Sequence, residues 1–140
     1  MELGYGEDRT YLLRLALQER WEKKTPFDGQ WHFAGYWDFS FAVWDNRDAS
    51  TADLGVTPVI RFERDAGYVE AAIGAHLVQR RISRDRIFST AFQFGDHIGL
   101  GMRGRDIDVG VAFQHLSNAS IRRPNPGINF VIVRLQYHLR

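Results

Sequence analysis

The sequence predicts an all-β fold: an eight-stranded antiparallel outer-membrane β-barrel that takes in residues 1–140 as a single domain. Three observations lead there. Apolar side chains recur with period two along almost the whole chain, and no segment carries the ~3.6-residue repeat of an amphipathic helix. The face opposite the bulky apolar residues mixes charges with alanine and glycine, where a water-exposed wall would carry lysine, glutamate and threonine. Connections alternate between tight and long, as they do when short turns face the periplasm and long loops face outward.

The elements follow in order. Residues 1–5 make a short or truncated first strand. Tyr11, Leu13, Leu15, Leu17 and Trp21 then alternate against Arg14, Ala16, Gln18 and Arg20. Trp31, Phe33, Trp37, Phe39, Phe41 and Val43 face away from His32, Ala34, Asp38, Ser40 and Ala42. Leu54, Val56, Ile60 and Phe62 oppose Thr57, Arg61 and Glu63, and Val69, Ala71, Ile73 and Leu77 oppose Glu70, Ala72, Gly74 and His76. The last three runs carry Phe92, Phe94, Ile98 and Leu100, then Ile107, Val109, Val111 and Phe113, then Val131, Val133, Leu135, Tyr137 and Leu139. Each run is near the length of about 9–11 residues that a membrane-crossing strand needs.

Residues 64–67 (RDAG) and 103–105 (RGR) are tight turns, whereas 46–52, 79–89 and 118–127 are long loops. The segment 24–30 (KTPFDGQ) is longer than a periplasmic turn should be. On this topology the seventh strand runs outward. A soluble lipid-carrier barrel has the same alternation with its apolar face hidden. The small residues on the polar face argue against it, because Ala34, Ala72, Gly74, Gly95, Gly99 and Gly110 suit a cramped interior in which Arg61, Glu63, Glu70 and Arg134 pair as a plug.

Bulk properties narrow the function. Eighteen basic and 17 acidic side chains leave a formal charge of +1, so no polyanion or nucleic-acid partner follows. The absence of cysteine excludes disulfides and thiol chemistry. No apolar run of about 20 residues makes a transmembrane helix. No signal peptide is visible at Met1, so the expectation is a mature chain, its leader removed, in the bacterial outer membrane. The chain ends in Leu139 and Arg140, where outer-membrane barrels commonly end on an aromatic.

Chemistry concentrates in VAFQHLSNAS, residues 111–120. His115 and Ser117 fall on the apolar, outward face with Val111 and Phe113. Residues i and i+2 of a strand lie roughly 6–7 Å apart at Cα, within reach for an imidazole to take a serine proton. H-x-S alone is a weak motif, and the spacing by itself favours a structural reading, an interfacial histidine beside a loop-capping serine. The loop that follows shifts the balance. HLSNASIRRPNPG resembles the lipid A 3-O-deacylase (PagL) family of outer-membrane acyloxyacyl hydrolases at His115, Ser117, Asn118, Ala119, Pro124, Asn125 and Gly127. GYW (35–37), YVEAAIG (68–74) and FQFGDHIG (92–99) are also similar to that family.

The resemblance implies a serine esterase that removes the ester-linked 3-hydroxyacyl chain at position 3 of lipid A, with its active site on the lipid-facing wall. Ser117 would be the nucleophile and His115 the general base. Asn118, Asn125 and backbone N–H groups near Ala119 and Ser120 would be the oxyanion and substrate contacts. The family pattern places a glutamate two residues after the loop glycine, and this chain has Asn129 there. Asp96, on the apolar face of the sixth strand, is the other candidate for the third, orienting residue. Arg80, Arg81, Arg84 and Arg86 crowd one external loop, with Arg122 and Arg123 in the next. Their forks suit lipid A phosphates, and a solvated loop is the bland alternative. The expected partners are lipopolysaccharide and outer-membrane lipid, with a homodimer left open and neither cofactor nor metal. The rival class is a non-enzymatic small barrel of the adhesin or structural type.

Overall fold

The computed structural model describes residues 1–22, 25–79 and 86–138. Its strands are β1 (Glu2–Gly6), β2 (Thr10–Arg20), β3 (Thr25–Asp28), β4 (Trp31–Asp45), β5 (Ser50–Arg64), β6 (Gly67–Val78), β7 (Phe92–Met102), β8 (Ile107–Ser117) and β9 (Ile128–Tyr137). A 3-10 turn, Glu7–Arg9, joins β1 to β2. All pairings are antiparallel; β2 pairs with β4, and β1 pairs with both β2 and β9, which closes an eight-stranded barrel. Closure removes the open edges that a membrane would not tolerate.

The ninth strand, β3, explains the over-long connection expected at 24–30. β2 pairs with β4 only as far as Arg20 opposite Tyr36, so the first residues of β4 would show unpaired amides on that side. Beyond it the chain turns back through Gly29, whose φ of +55° suits a residue without Cβ, and β3 sets Thr25 opposite Phe33 and Pro26 opposite His32. The connection expected over 46–52 is shorter than read from sequence. β5 begins at Ser50 because the Asn46 Oδ1 accepts the N–H groups of Asp48 (2.9 Å) and Ala49 (3.0 Å) and tightens the turn.

The barrel is apolar outside and polar inside. Leu15, Leu17, Phe41, Ile73, Ile98 and Val131 are exposed, while Arg14, Arg61, Glu70, Asp108 and Arg134 are buried. A continuous exposed apolar wall of this extent belongs in lipid. The interior has two layers. Toward the 65–66 and 103–106 turns, Arg61 Nη2 donates to Glu70 Oε2 (2.8 Å) and to Gln136 Oε1 (2.9 Å), and Arg134 pairs with Glu70 and with Glu2 (2.6 Å). Glu63 stands near the turn and accepts from Arg103 (2.9 Å). At the opposite end the filling is apolar. Trp44, Phe88, Phe130, Leu116 and Ile128 are buried there, with the Trp44 ring 5.2 Å from Phe130 and 6.3 Å from Phe88.

Candidate active site

The apolar end of the filling positions the outer ends of β8 and β9. Gln114, Leu116 and Asn118 turn inward and are buried, so the alternation sends His115 and Ser117 outward, both half-buried. Leu116 lies opposite Ile128, and both side chains enter the plug under Trp44 and Phe88. The same register sets His115 opposite Asn129.

The imidazole is oriented by that neighbour. His115 Nδ1 and Asn129 Oδ1 are 2.7 Å apart. The amide's direction is set on its far side, where Asn129 Nδ2 donates to Glu7 Oε1 (3.1 Å). A carboxamide oxygen only accepts, so the imidazole proton sits on Nδ1 and the Nε2 lone pair is left free to act as a base. Asp96, the other sequence candidate for this place, is the partner of His115 across the β7–β8 ladder and is exposed. It flanks the histidine from the side away from Asn129.

Beyond Ser117 the chain makes a turn closed by Ile121 N–H to the Asn118 carbonyl at 3.0 Å. Its central residues, Ala119 and Ser120, have φ of 51° and 61°. Such conformations cost non-glycine residues about 1–3 kcal/mol each and persist where neighbours enforce them. Asn118 and Asn125 do so here. Asn118 Nδ2 donates to Ser89 Oγ (2.7 Å) and the Arg122 carbonyl (2.8 Å), and Asn125 Oδ1 accepts the Asn118 N–H (3.0 Å). The Asn118 side chain thus points into the barrel. The turn places the Ala119 N–H 3.4 Å from Ser117 Oγ.

Gly127 is required twice over. Its φ is +59°, and a Cβ built there would lie 2.9 Å from His115 Cε1. Gly127→Ala is therefore expected to push the imidazole away by about half an ångström and to lower activity roughly 3–30-fold while the barrel stays closed, because small misplacements of a reacting group are costly. Steady-state kinetics beside the gel mobility of the folded barrel checks this; an unchanged rate would show that the contact does not matter.

Of the arginine cluster, Arg80, Arg81 and Arg84 lie outside the described residues. Arg86 bonds Glu7 Oε2 (2.9 Å), Asp8 Oδ2 (3.3 Å) and the Gly127 carbonyl (3.4 Å), which makes it a strut between the 3-10 turn and the loop after β8. Arg122 and Arg123 are exposed. Sequence reading missed Glu7 and Ser89. Neither carries a local signal: Glu7 is one acid in a polar turn, and Ser89 one hydroxyl at the end of a basic loop.

Three comparisons bear on this site. The family model described as Lipid A 3-O-deacylase (PagL) matches residues 9–138. The Lipid A deacylase PagL of Pseudomonas aeruginosa is 30% identical over 122 residues, which cover 82% of this chain and 70% of that protein. The Lipid A deacylase PagL of Bordetella bronchiseptica is 45% identical over 71 residues, covering 50% of this chain and 39% of that protein's length. The solved structure titled "Crystal structure of the outer membrane enzyme PagL" superposes with a TM-score of 0.90 at 26% identity, covering 99% of this chain and 97% of that one.

Proposed function

Since the chain belongs to the lipid A 3-O-deacylase (PagL) family, we propose that it is an outer-membrane serine esterase that removes the ester-linked 3-hydroxyacyl chain at position 3 of lipid A. The observation that carries the reading is the placement of His115, Ser117 and Asn129 together on the outward face at the loop end of the barrel. An ester between a sugar and an acyl chain lies at the border of headgroup and hydrocarbon, and only a lipid-facing site at that height reaches it.

In the forward reaction Ser117 Oγ attacks the acyl carbonyl while His115 Nε2 takes its proton. Negative charge develops on the carbonyl oxygen, and we assign the Ala119 N–H, 3.4 Å from Ser117 Oγ, as the donor that meets it. Collapse breaks the ester bond, and the departing sugar oxygen takes the proton from the imidazolium. Water, deprotonated by the same Nε2, then releases the fatty acid from Ser117. Asn118 and Asn125 serve by holding the turn that aims the Ala119 N–H.

The test of the activity is to incubate the refolded protein with lipopolysaccharide in detergent and follow loss of one 3-hydroxyacyl chain by mass spectrometry. No loss would sink the reading. A second measurement tests the third residue. Asn129→Ala frees the imidazole to adopt the wrong tautomer and is expected to lower kcat about 10–100-fold. Asp96→Asn is expected to stay within about 3-fold. The reverse ranking would make Asp96 the orienting residue.

A further inference from the structure

Asn129 leaves the site short of charge. An amide holds the tautomer of His115, but it stabilises the imidazolium formed in the reaction less than a carboxylate does. The hydrogen bonds continue past the amide, however. Asn129 Nδ2 donates to Glu7 Oε1 at 3.1 Å, on the side of Asn129 away from His115. We propose that Glu7 is the charged positioning residue of this active site, acting on His115 through the Asn129 carboxamide. The inference rests on the esterase reading above.

Barrel closure brings the carboxylate there. β1 pairs with β9 with Gly6 opposite Phe130, so the next residue of the 3-10 turn arrives beside Asn129. The approach is close: a Cβ on Gly6 would lie 2.6 Å from the Asn129 carbonyl oxygen. A carboxylate accepting from the amide N–H draws electron density toward Oδ1, the atom 2.7 Å from His115 Nδ1.

Among the described residues, the charged groups in contact with Glu7 and its neighbour Asp8 come from one arginine. Arg86, from the connection before β7, bonds Glu7 Oε2 and reaches Asp8, so one guanidinium is shared by two carboxylates. β9 presents the neutral Asn129, with His115 of β8 behind it. Partial burial raises the Glu7 carboxyl, but the hydrogen bonds from Asn129 and Arg86 outweigh it and hold the group below its ordinary value. Glu7 is therefore ionised where the histidine works. A strut that only fastens the turn to the loop would need the Arg86 contact alone; the bond to Asn129 points inward to the catalytic pair.

A four-protein cycle tests this: the parent, Glu7→Gln, Asn129→Glu, and the two combined, each assayed on lipid A in detergent across pH. Glu7→Gln removes charge while keeping size and an acceptor oxygen. It is expected to lower kcat about 10-fold and to move the acid limb of kcat/KM down by about half a pH unit, because a less stabilised imidazolium loses its proton sooner. Asn129→Glu puts a carboxylate directly on the imidazole, and in that background Glu7→Gln is expected to change the rate by less than about 2-fold. The proposal is overturned by an acid limb that does not move in Glu7→Gln, or by equal loss in both backgrounds, the signature of a strut. A parent without activity, or one whose activity survives Ser117→Ala, overturns instead the esterase reading beneath it.

Discussion

Ser117→Ala is expected to lower lipid A deacylation at least about 1,000-fold and to leave the barrel folded. On the proposed mechanism the reaction passes through an ester on the serine oxygen, which the alanine variant cannot form. The rest of the site, with His115 and the Ala119 N–H in place, can still polarise a bound ester, so a small residual rate is expected. Stability should change by no more than about 0.5 kcal/mol, the range of surface changes away from structural features. The inward anchors of this strand end are Leu116 and Asn118, both buried, whereas Ser117 makes one long contact, 3.4 Å from the Ala119 N–H. Mass spectrometry of the lipid and gel mobility of the protein read the two quantities separately. An active alanine variant would overturn the assignment of Ser117 as the nucleophile.

The second large effect concerns the interior. Glu70→Ala is expected to destabilise the barrel by about 3–5 kcal/mol, seen as a lower urea midpoint in detergent or vesicles. The Glu70 side chain is 1% exposed and is shared by two arginines. Arg61 gives Nε (2.9 Å) and Nη2 (2.8 Å) to the same oxygen, the Tyr36 hydroxyl adds a third bond (3.1 Å), and Arg134 takes the other oxygen. Arg61 is also stacked on the Tyr68 ring at 3.8 Å. Truncation removes the carboxylate that joins the two guanidiniums and leaves their donors and the Tyr36 hydroxyl buried without it, although Arg61 keeps Asp108 (3.3 Å) and Arg134 keeps Glu2 (2.6 Å). The contrast is Arg103→Ala at the turn end. In that pair Arg103 is 28% exposed although Glu63 is buried, and solvent can reach the arginine side, so its loss should cost about 1–2 kcal/mol, less than at Glu70. Equal effects at the two sites would mean that water enters the interior freely.

Much of this architecture was legible because it is local. Period-two alternation is a property of each strand's backbone, so the outward set around Leu15, Phe41 and Ile98 and the inward set around Arg61, Glu70 and Arg134 could be read residue by residue. The grouping of His115 with Ser117 on one face follows from the same parity. Two readings needed correction. The 24–30 segment is a strand because β4 outruns β2, a fact about relative length that neither strand states alone. The 46–52 connection is shorter than it read, because Asn46 Oδ1 accepts the Asp48 and Ala49 N–H groups and β5 begins at Ser50.

The third residue shows where sequence stops. Ladder register puts Asp96 on one flank of His115 and Asn129 on the other, so alternation admits both. Only the direction of the imidazole, turned so that Nδ1 meets Asn129 at 2.7 Å, separates them. Glu7 was further out of reach, 122 positions from the amide that it contacts. By itself the sequence determined the strand faces, the inside-out polarity and the His115–Ser117 pair, all consequences of backbone geometry over a few residues. Tertiary structure decided which neighbour holds the histidine and which carboxylate stands behind it. Those contacts exist only once β1 closes against β9 and brings the two ends of the chain together.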